Sequence, residues 1–280
     1  MKTIEAIAGQ GIIHTSSIRP ETDILRSQFA RHDQLIGINP GFIPDAIFPY
    51  SFGIFAGASI AGAFPREVAF QLAETRANIV RKAEQNKPEE ERSAMAVILA
   101  SRDKISELLA QFPGLDWTND NGPGAHVLGG SMRELRLLAD EAGKRFRGYL
   151  TAEGIYHSDE REEEARQFSE ILQNTEIKDP KIPIIPSTGK MKEITTAEGV
   201  IEEMVGSMVR KVNLEEVVRY WGQKGYEAVI DISNGGTIKN LVTRFNNGFH
   251  FESLEEEVEK LREFFANIKS QKPRSKIILP

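Results

Sequence analysis

The sequence predicts an α/β protein: a mainly parallel sheet flanked by helices, with an inserted ferredoxin-like (βαββαβ) subdomain. Three observations predict it. Apolar runs of strand length alternate with helical periodicities along most of the chain, the pattern of a parallel sheet covered on both faces. Residues 93–152 carry a rhythm of their own, strand-helix-strand-strand-helix-strand, that brings its start and finish close together. And the apolar run Ala46-Ile47-Phe48 meets a serine in Phe48-Pro49-Tyr50-Ser51-Phe52-Gly53, followed at once by small residues from Ile54 to Gly62. Strand, serine and close-packing helix in that order can hold a nucleophilic hydroxyl on a tight turn. The expected division is a discontinuous large domain, 1–92 and 153–280, and a small one, 93–152.

Composition narrows the function. The chain has 280 residues, a net charge of −6 and no cysteine. The acidic balance argues against general nucleic-acid binding. Without cysteine there is no disulfide framework, thiolate metal site or cysteine nucleophile. Met1-Lys2-Thr3-Ile4-Glu5 lacks the apolar stretch of a signal peptide, and no run suits a bilayer, so a cytoplasmic protein without membrane contact is expected.

Taken in order, Ile4 to Ala8 reads as a strand ended by Gly9-Gln10-Gly11. His14 stands where a dinucleotide fingerprint needs its third glycine; the other use of such a pair is close approach of backbone N–H groups to an oxyanion. Pro20 opens a helix to about Leu35, broken by Asn39-Pro40-Gly41. At the serine, Pro49 stands where G-x-S-x-G has glycine, and a simple capping role for Ser51 competes with the nucleophilic one. Pro65 starts a helix to about Gln85. At 100° per residue its apolar side chains fill an arc of roughly 140°, and Arg76 falls inside it. An inward arginine needs a partner: a structural ion pair, or the carboxylate of a ligand.

A charged linker, Asn86–Ser93, leads to the inserted unit: strands at Ala94–Leu99, Leu115–Asn119, Ala125–Gly129 and Arg145–Thr151, helices at Ser101–Phe112 and Ser131–Gly143. His157 then lies on a turn just before a helix capped by Ser158 or Asp159. Lys181–Pro186 reads as a Pro-flanked strand, Ala197–Val209 and Leu214–Lys224 as helices, and Ala228–Ile232 as a strand entering Ser233-Asn234-Gly235-Gly236. A last helix is expected over Leu254–Ile268.

In this order of elements, and in the strings Ser93-Ala94-Met95-Ala96, Asn119-x-Asn121-Gly122-Pro123-Gly124, Lys181–Pro186 and Asp231-Ile232-Ser233-Asn234-Gly235-Gly236, the chain resembles the malonyl-CoA:acyl-carrier-protein transacylase family. That family includes the acyltransferase domains of fatty acid and polyketide synthases. The resemblance runs from about Pro20 to about Phe265, with a short match around Gln10, and implies a hydrolase-like large domain. By position it implies Ser51 as nucleophile, His157 as general base and Arg76 as the grip on the free carboxylate of a malonyl-type acyl group. It implies the N–H groups of Gln10 and Phe52 as the oxyanion hole, and the main-chain carbonyl of Ser207 as the group that orients the histidine. Tyr50, Asn119, Asn121 and Tyr156 are possible pocket residues. Pro49, Tyr50 and Ile54 depart from the family's glycine, histidine and acidic residue, and the family's helix and loop between Gly-Gln-Gly and Pro20 are missing.

The implied activity moves an acyl group from CoA, through an acyl-serine, to the phosphopantetheine thiol of an acyl carrier protein. Acyl-CoA is then substrate, with no permanently bound cofactor and no metal. The partners are the carrier protein and other subunits of a synthase, and Lys190, Lys192, Arg210 and Lys211 are candidates for a basic docking rim. Two other readings use the same residues: a carrier-thioester hydrolase, and an inactive interaction module.

Overall fold

The computed structural model describes residues 20–245, 249–253, 261–263, 265–266 and 276–279. Gln10, the strand expected at Ile4–Ala8 and most of the helix expected over Leu254–Ile268 lie outside the described residues.

Two sheets organise the chain. One is parallel throughout, in the order β1-β9-β7-β8, from β1 (Ala46–Ile47), β9 (Lys276–Leu279), β7 (Tyr226–Asp231) and β8 (His250–Ser253). The other joins β2 (Ser93–Ile98), β3 (Asp116–Asp120), β4 (His126–Ser131), β5 (Phe146–Tyr149) and β6 (Val212–Asn213) in the order β5-β2-β4-β3-β6. Pairing among β2 to β5 is antiparallel, and β6 adds to the edge of β3 in parallel. The second sheet therefore does not close within 93–152: the unpaired edge of β3 is covered by a strand from the large part of the chain, which removes a site of unwanted pairing.

Alternation within β2 shows how the second sheet is shared. Ala94, Ala96 and Ile98 pack with Leu128 against helices α4 (Arg102–Gln111) and α5 (Met132–Ala142), through Ile105, Leu108, Leu135 and Leu138. Met95 and Val127 point the other way, into the main core. That core also takes α1 (Pro20–Ile38), α2 (Ile54–Ile60), α3 (Arg66–Gln85), α6 (Glu162–Gln173) and α7 (Ala197–Val209). The opposite face of the parallel sheet is covered by α8 (Leu214–Lys224) and α9 (Thr237–Val242), with Trp221 fully buried against Phe48, ring centroids 5.1 Å apart.

The helices α7 and α8 keep the bounds that the sequence predicts, because their ends are marked chemically. Thr196 and Asn213 accept N-terminal N–H groups, and Gly225 takes the left-handed conformation that closes α8. Lys181–Pro186 is not a strand. Pro183 and Pro186 have no N–H to give a ladder, so the segment is held by isolated bridges from Ile184 to Ile47 and Ile194. The apolar run Ile277-Ile278-Leu279, too short to be assigned by periodicity alone, fills the space between β1 and β7.

Candidate active site

Ser51 starts a single 3-10 turn, Ser51–Gly53, between β1 and α2. Its φ is +53°, and His157 has φ +60°; among the described residues no other non-glycine residue has positive φ. Side chains other than glycine reach that region only at a cost of order 1–3 kcal/mol, which the surroundings must offset. The two strained residues meet: Ser51 Oγ lies 2.7 Å from His157 Nε2.

Pro49 is accommodated by glycine elsewhere. A Cβ on Gly57, one turn into α2, would stand 2.8 Å from the Pro49 ring. The glycine lost from one side of the elbow motif is matched by a glycine on the facing helix, so strand end and helix still approach closely.

His157 is held from three sides. Its Nδ1 donates to the carbonyl of Arg210 at 3.0 Å, which leaves Nε2 to accept from Ser51. The next residue, Ser158, donates its N–H to Met208 O at 3.2 Å and its hydroxyl to the Asp116 carboxylate. Arg161 Nε donates to Ile155 O at 2.9 Å, and the same guanidinium is buried against Glu84, Ser93 and Glu164. The carbonyls that receive His157 and Ser158 are therefore orphan acceptors at the end of α7.

The orienting carbonyl is thus Arg210's, and not that of Ser207 as the resemblance implies. Ser207 is inside α7, while Arg210 leaves the helix in extended conformation (ψ 132°), which swings its carbonyl off the helix axis. Its side chain lies across Gly206, where a Cβ would meet it at 1.9 Å, and donates to Glu202 O at 2.6 Å and Glu202 Oε1 at 3.1 Å. Ser207 serves otherwise: its hydroxyl accepts from Arg76 Nη1 at 3.2 Å and donates to Met204 O at 2.7 Å.

Burial pushes the pKa of His157 down to about 4, with the nearby Arg76 cation adding to the effect against its own hydrogen bond to Arg210. The imidazole is therefore neutral at neutral pH, the state a general base requires.

Ser51, Tyr50, Phe52, Arg76 and Tyr156 line one cavity of about 470 Å³. Arg76 is 4% exposed, and its guanidinium carbon sits 4.6 Å from the Tyr156 ring centroid, 4.8 Å from Phe55 and 5.1 Å from Phe52. Stacking on aromatic faces stabilises a buried cation. Among the described residues no carboxylate lies within ion-pair distance of it, and its Nε has no hydrogen-bond partner. Burial lowers its pKa, yet a guanidinium remains a cation. Asn119 and Asn121 stand behind the wall: Tyr50 donates its hydroxyl to Asn121 Oδ1 at 2.6 Å and accepts from Asn119 Nδ2 at 3.0 Å. Burial raises the Tyr50 phenol to about 12. Two lining groups that the sequence did not single out are Glu21 and Gln28, on one face of α1.

No protein-family profile matches the chain. A malonyl CoA-acyl carrier protein transacylase of Bacillus subtilis is 27% identical over 219 residues, which is 74% of this chain and 66% of that protein. Among solved structures, FabD from Acinetobacter baumannii superposes with a TM-score of 0.75 at 20% identity, covering 89% of this chain and 80% of its own. The fold is that of the malonyl transacylases. A malonyl-transacylase solved in complex with its type II PKS acyl-carrier protein gives the same TM-score, 0.75, at 19% identity over 88% of this chain. Erythronolide synthase EryA2 of Saccharopolyspora erythraea matches 106 residues at 31% identity, 38% of this chain and 3% of that synthase. The chain thus spans 66% of the length of the first relative and a small part of the second.

Among the described residues no group of three or more His, Asp or Glu could hold a metal, and no helix is long and apolar enough to cross a membrane.

Proposed function

We propose that the chain is a serine acyltransferase that moves a malonyl-type acyl group from CoA to the phosphopantetheine thiol of an acyl carrier protein. The observation that carries this reading is the buried Arg76 guanidinium, without a carboxylate partner among the described residues, facing the cavity onto which Ser51 opens. A planar cation placed so matches the free carboxylate of a dicarboxylic acyl thioester.

In the first half-reaction Ser51 Oγ attacks the thioester carbonyl while His157 Nε2 takes the hydroxyl proton. The tetrahedral intermediate collapses with cleavage of its C–S bond, the CoA thiolate takes the proton from His157 and leaves as the thiol, and an acyl-serine remains. In the second half-reaction the carrier thiol gives its proton to His157, attacks the ester, and releases Ser51 with its proton restored. The N–H of Phe52, at the start of the turn where donors have no intrahelical partner, and that of Gln10 are read as oxyanion donors; one such donor is worth about 3–4 kcal/mol. Residues 93–152 are read as an inserted ferredoxin-like subdomain, on the strand order of β2 to β5. The partners are read as the carrier protein and other synthase subunits, in the cytoplasm, with no permanently bound cofactor.

Mass spectrometry of the intact protein after incubation with malonyl-CoA and with acetyl-CoA tests the reading. A malonyl adduct that is absent from Ser51→Ala, and that passes to a phosphopantetheinylated carrier protein rather than to water, is expected. A folded protein that takes up neither group would sink it, and loss of the adduct to water would make the chain a hydrolase.

A further inference from the structure

The cavity holds a second buried ion. Glu21 lies in the first turn of α1 and is 8% exposed, yet among the described residues it forms no hydrogen bond or ion pair. Its turn-mate Asp23 shows the ordinary arrangement: it is exposed and paired with Arg26 at 3.2 Å. An acid near a helix start is favoured by the helix dipole, but that does not replace the hydrogen bonds a carboxylate loses on burial. Glu21 lines the cavity together with Ile24 and Gln28, spaced along one face of α1. Gln28 Oε1 is buried and likewise has no partner. The Glu21 charge acts on Arg76 and on Tyr156, which puts it at the arginine end of the cavity.

One end of the cavity therefore offers an unpartnered donor, Arg76 Nε, an unpartnered acceptor, Gln28 Oε1, and the Glu21 carboxylate, which lines the cavity without a protein partner among the described residues. A plain malonyl group would satisfy the arginine alone. It would give the acceptors no donor and set its own carboxylate near another. We propose that Glu21, supported by Gln28, is a specificity-determining residue for a dicarboxylic acyl group that also carries a hydrogen-bond donor, a hydroxyl or an amine, beside its carboxylate. The inference rests on the transferase reading and narrows its substrate. Sites built to hydrogen-bond a substrate hydroxyl or amine discriminate strongly against the analogue without it, because buried polar groups are then left unpaired.

The full chain is incubated separately with malonyl-, methylmalonyl- and hydroxymalonyl-CoA, and the rate of acyl-Ser51 formation is followed by intact mass. Methyl and hydroxyl are close in size, so this pair isolates the donor. Hydroxymalonyl loading is expected to exceed methylmalonyl loading by on the order of tenfold to a hundredfold. Glu21→Leu should erase that ratio, and Glu21→Gln, which keeps an acceptor, should retain part of it. Malonyl loading with the same hydroxyl-to-methyl ratio in native protein and Glu21→Leu overturns this inference and leaves the transferase reading standing. A Glu21 that is only a counter-ion for Arg76 would show itself in this way, as equal slowing of all three donors. Absence of any adduct overturns both readings. Should Glu21→Leu not fold, Glu21→Gln and Gln28→Leu carry the comparison, and an unchanged ratio in both overturns it equally.

Discussion

The two ends of the cavity are built on opposite plans. At the Ser51–His157 end, the reacting side chains have protein partners: the hydroxyl on the imidazole, the imidazole on the Arg210 carbonyl, the next N–H on Met208. Two residues are held at positive φ there, and the surrounding hydrogen bonds fix them. At the other end Arg76 Nε and Gln28 Oε1 are buried without a partner, and the Glu21 carboxylate lines the cavity beside them with no protein hydrogen bond among the described residues. The first plan is what chemistry needs, since a reacting pair must already be aligned before substrate arrives. The second is what recognition needs, since groups already paired within the protein have nothing left for a ligand.

The sharpest way to break this contrast is at the histidine. His157→Ala should reduce loading from every acyl donor by about 10⁴-fold, with the malonyl-to-acetyl ratio unchanged in parallel rate measurements. Arg76→Ala should do the reverse. Malonyl loading falls by about 100-fold while acetyl loading changes little, and thermal unfolding shows a loss of stability from the missing Ser207 hydrogen bond and aromatic stacking. Equal loss for both donors would show that Arg76 acts through the dyad instead.

Acidity separates the ends next. His157 has its pKa depressed from 6.5 to about 4 in the fold. The loading rate should therefore hold as pH falls through 6 and decline only toward 4. Since the unfolded chain takes up this proton first, the neutral histidine's contribution to stability is complete above about 6.5 and is lost progressively between there and 4. A rate that already halves near pH 6.5 would mean the imidazole is not buried as described.

Smaller effects test the supports. Gly206→Val would drive the Arg210 side chain off its seat, and since that residue's carbonyl holds the imidazole tautomer, loading should slow by about tenfold with the malonyl-to-acetyl ratio kept. Tyr50→Phe removes a phenol shared by two asparagines, for a loss of about 1 kcal/mol in chemical denaturation and less than tenfold in rate.

What could be read in the sequence follows from where the information lies. An inward arginine on an apolar helix arc is visible in the periodicity, because a charge among Leu72, Ala69 and Ala73 breaks the pattern. The serine turn is visible in its order of residue sizes. The partner of His157 is not visible: a main-chain carbonyl exists at every position, and only the geometry at the end of α7 selects Arg210 over Ser207. Pro49 looks like a fault until Gly57 is placed beside it, since compensation between strand and helix leaves no local trace. Glu21 was hidden for a different reason. An acid in the first turn of a helix is commonplace, and only burial distinguishes it from Asp23.

The strand that leads to Ser51 pairs with the last described strand, Ala46 with Ile278 and Ile47 with Leu279, and that strand in turn pairs with β7. A ribosome releases these partners more than two hundred residues apart. Until Leu279 has emerged, β1 can lean only on its bonds to Pro183 and Ile185, and the strained serine turn has no completed sheet beneath it. Pairings so distant along the chain form slowly and late. The Ser51 turn should become rigid only after this distant pairing forms, and a nascent chain would carry Ser51 and His157 well before it could hold them in place.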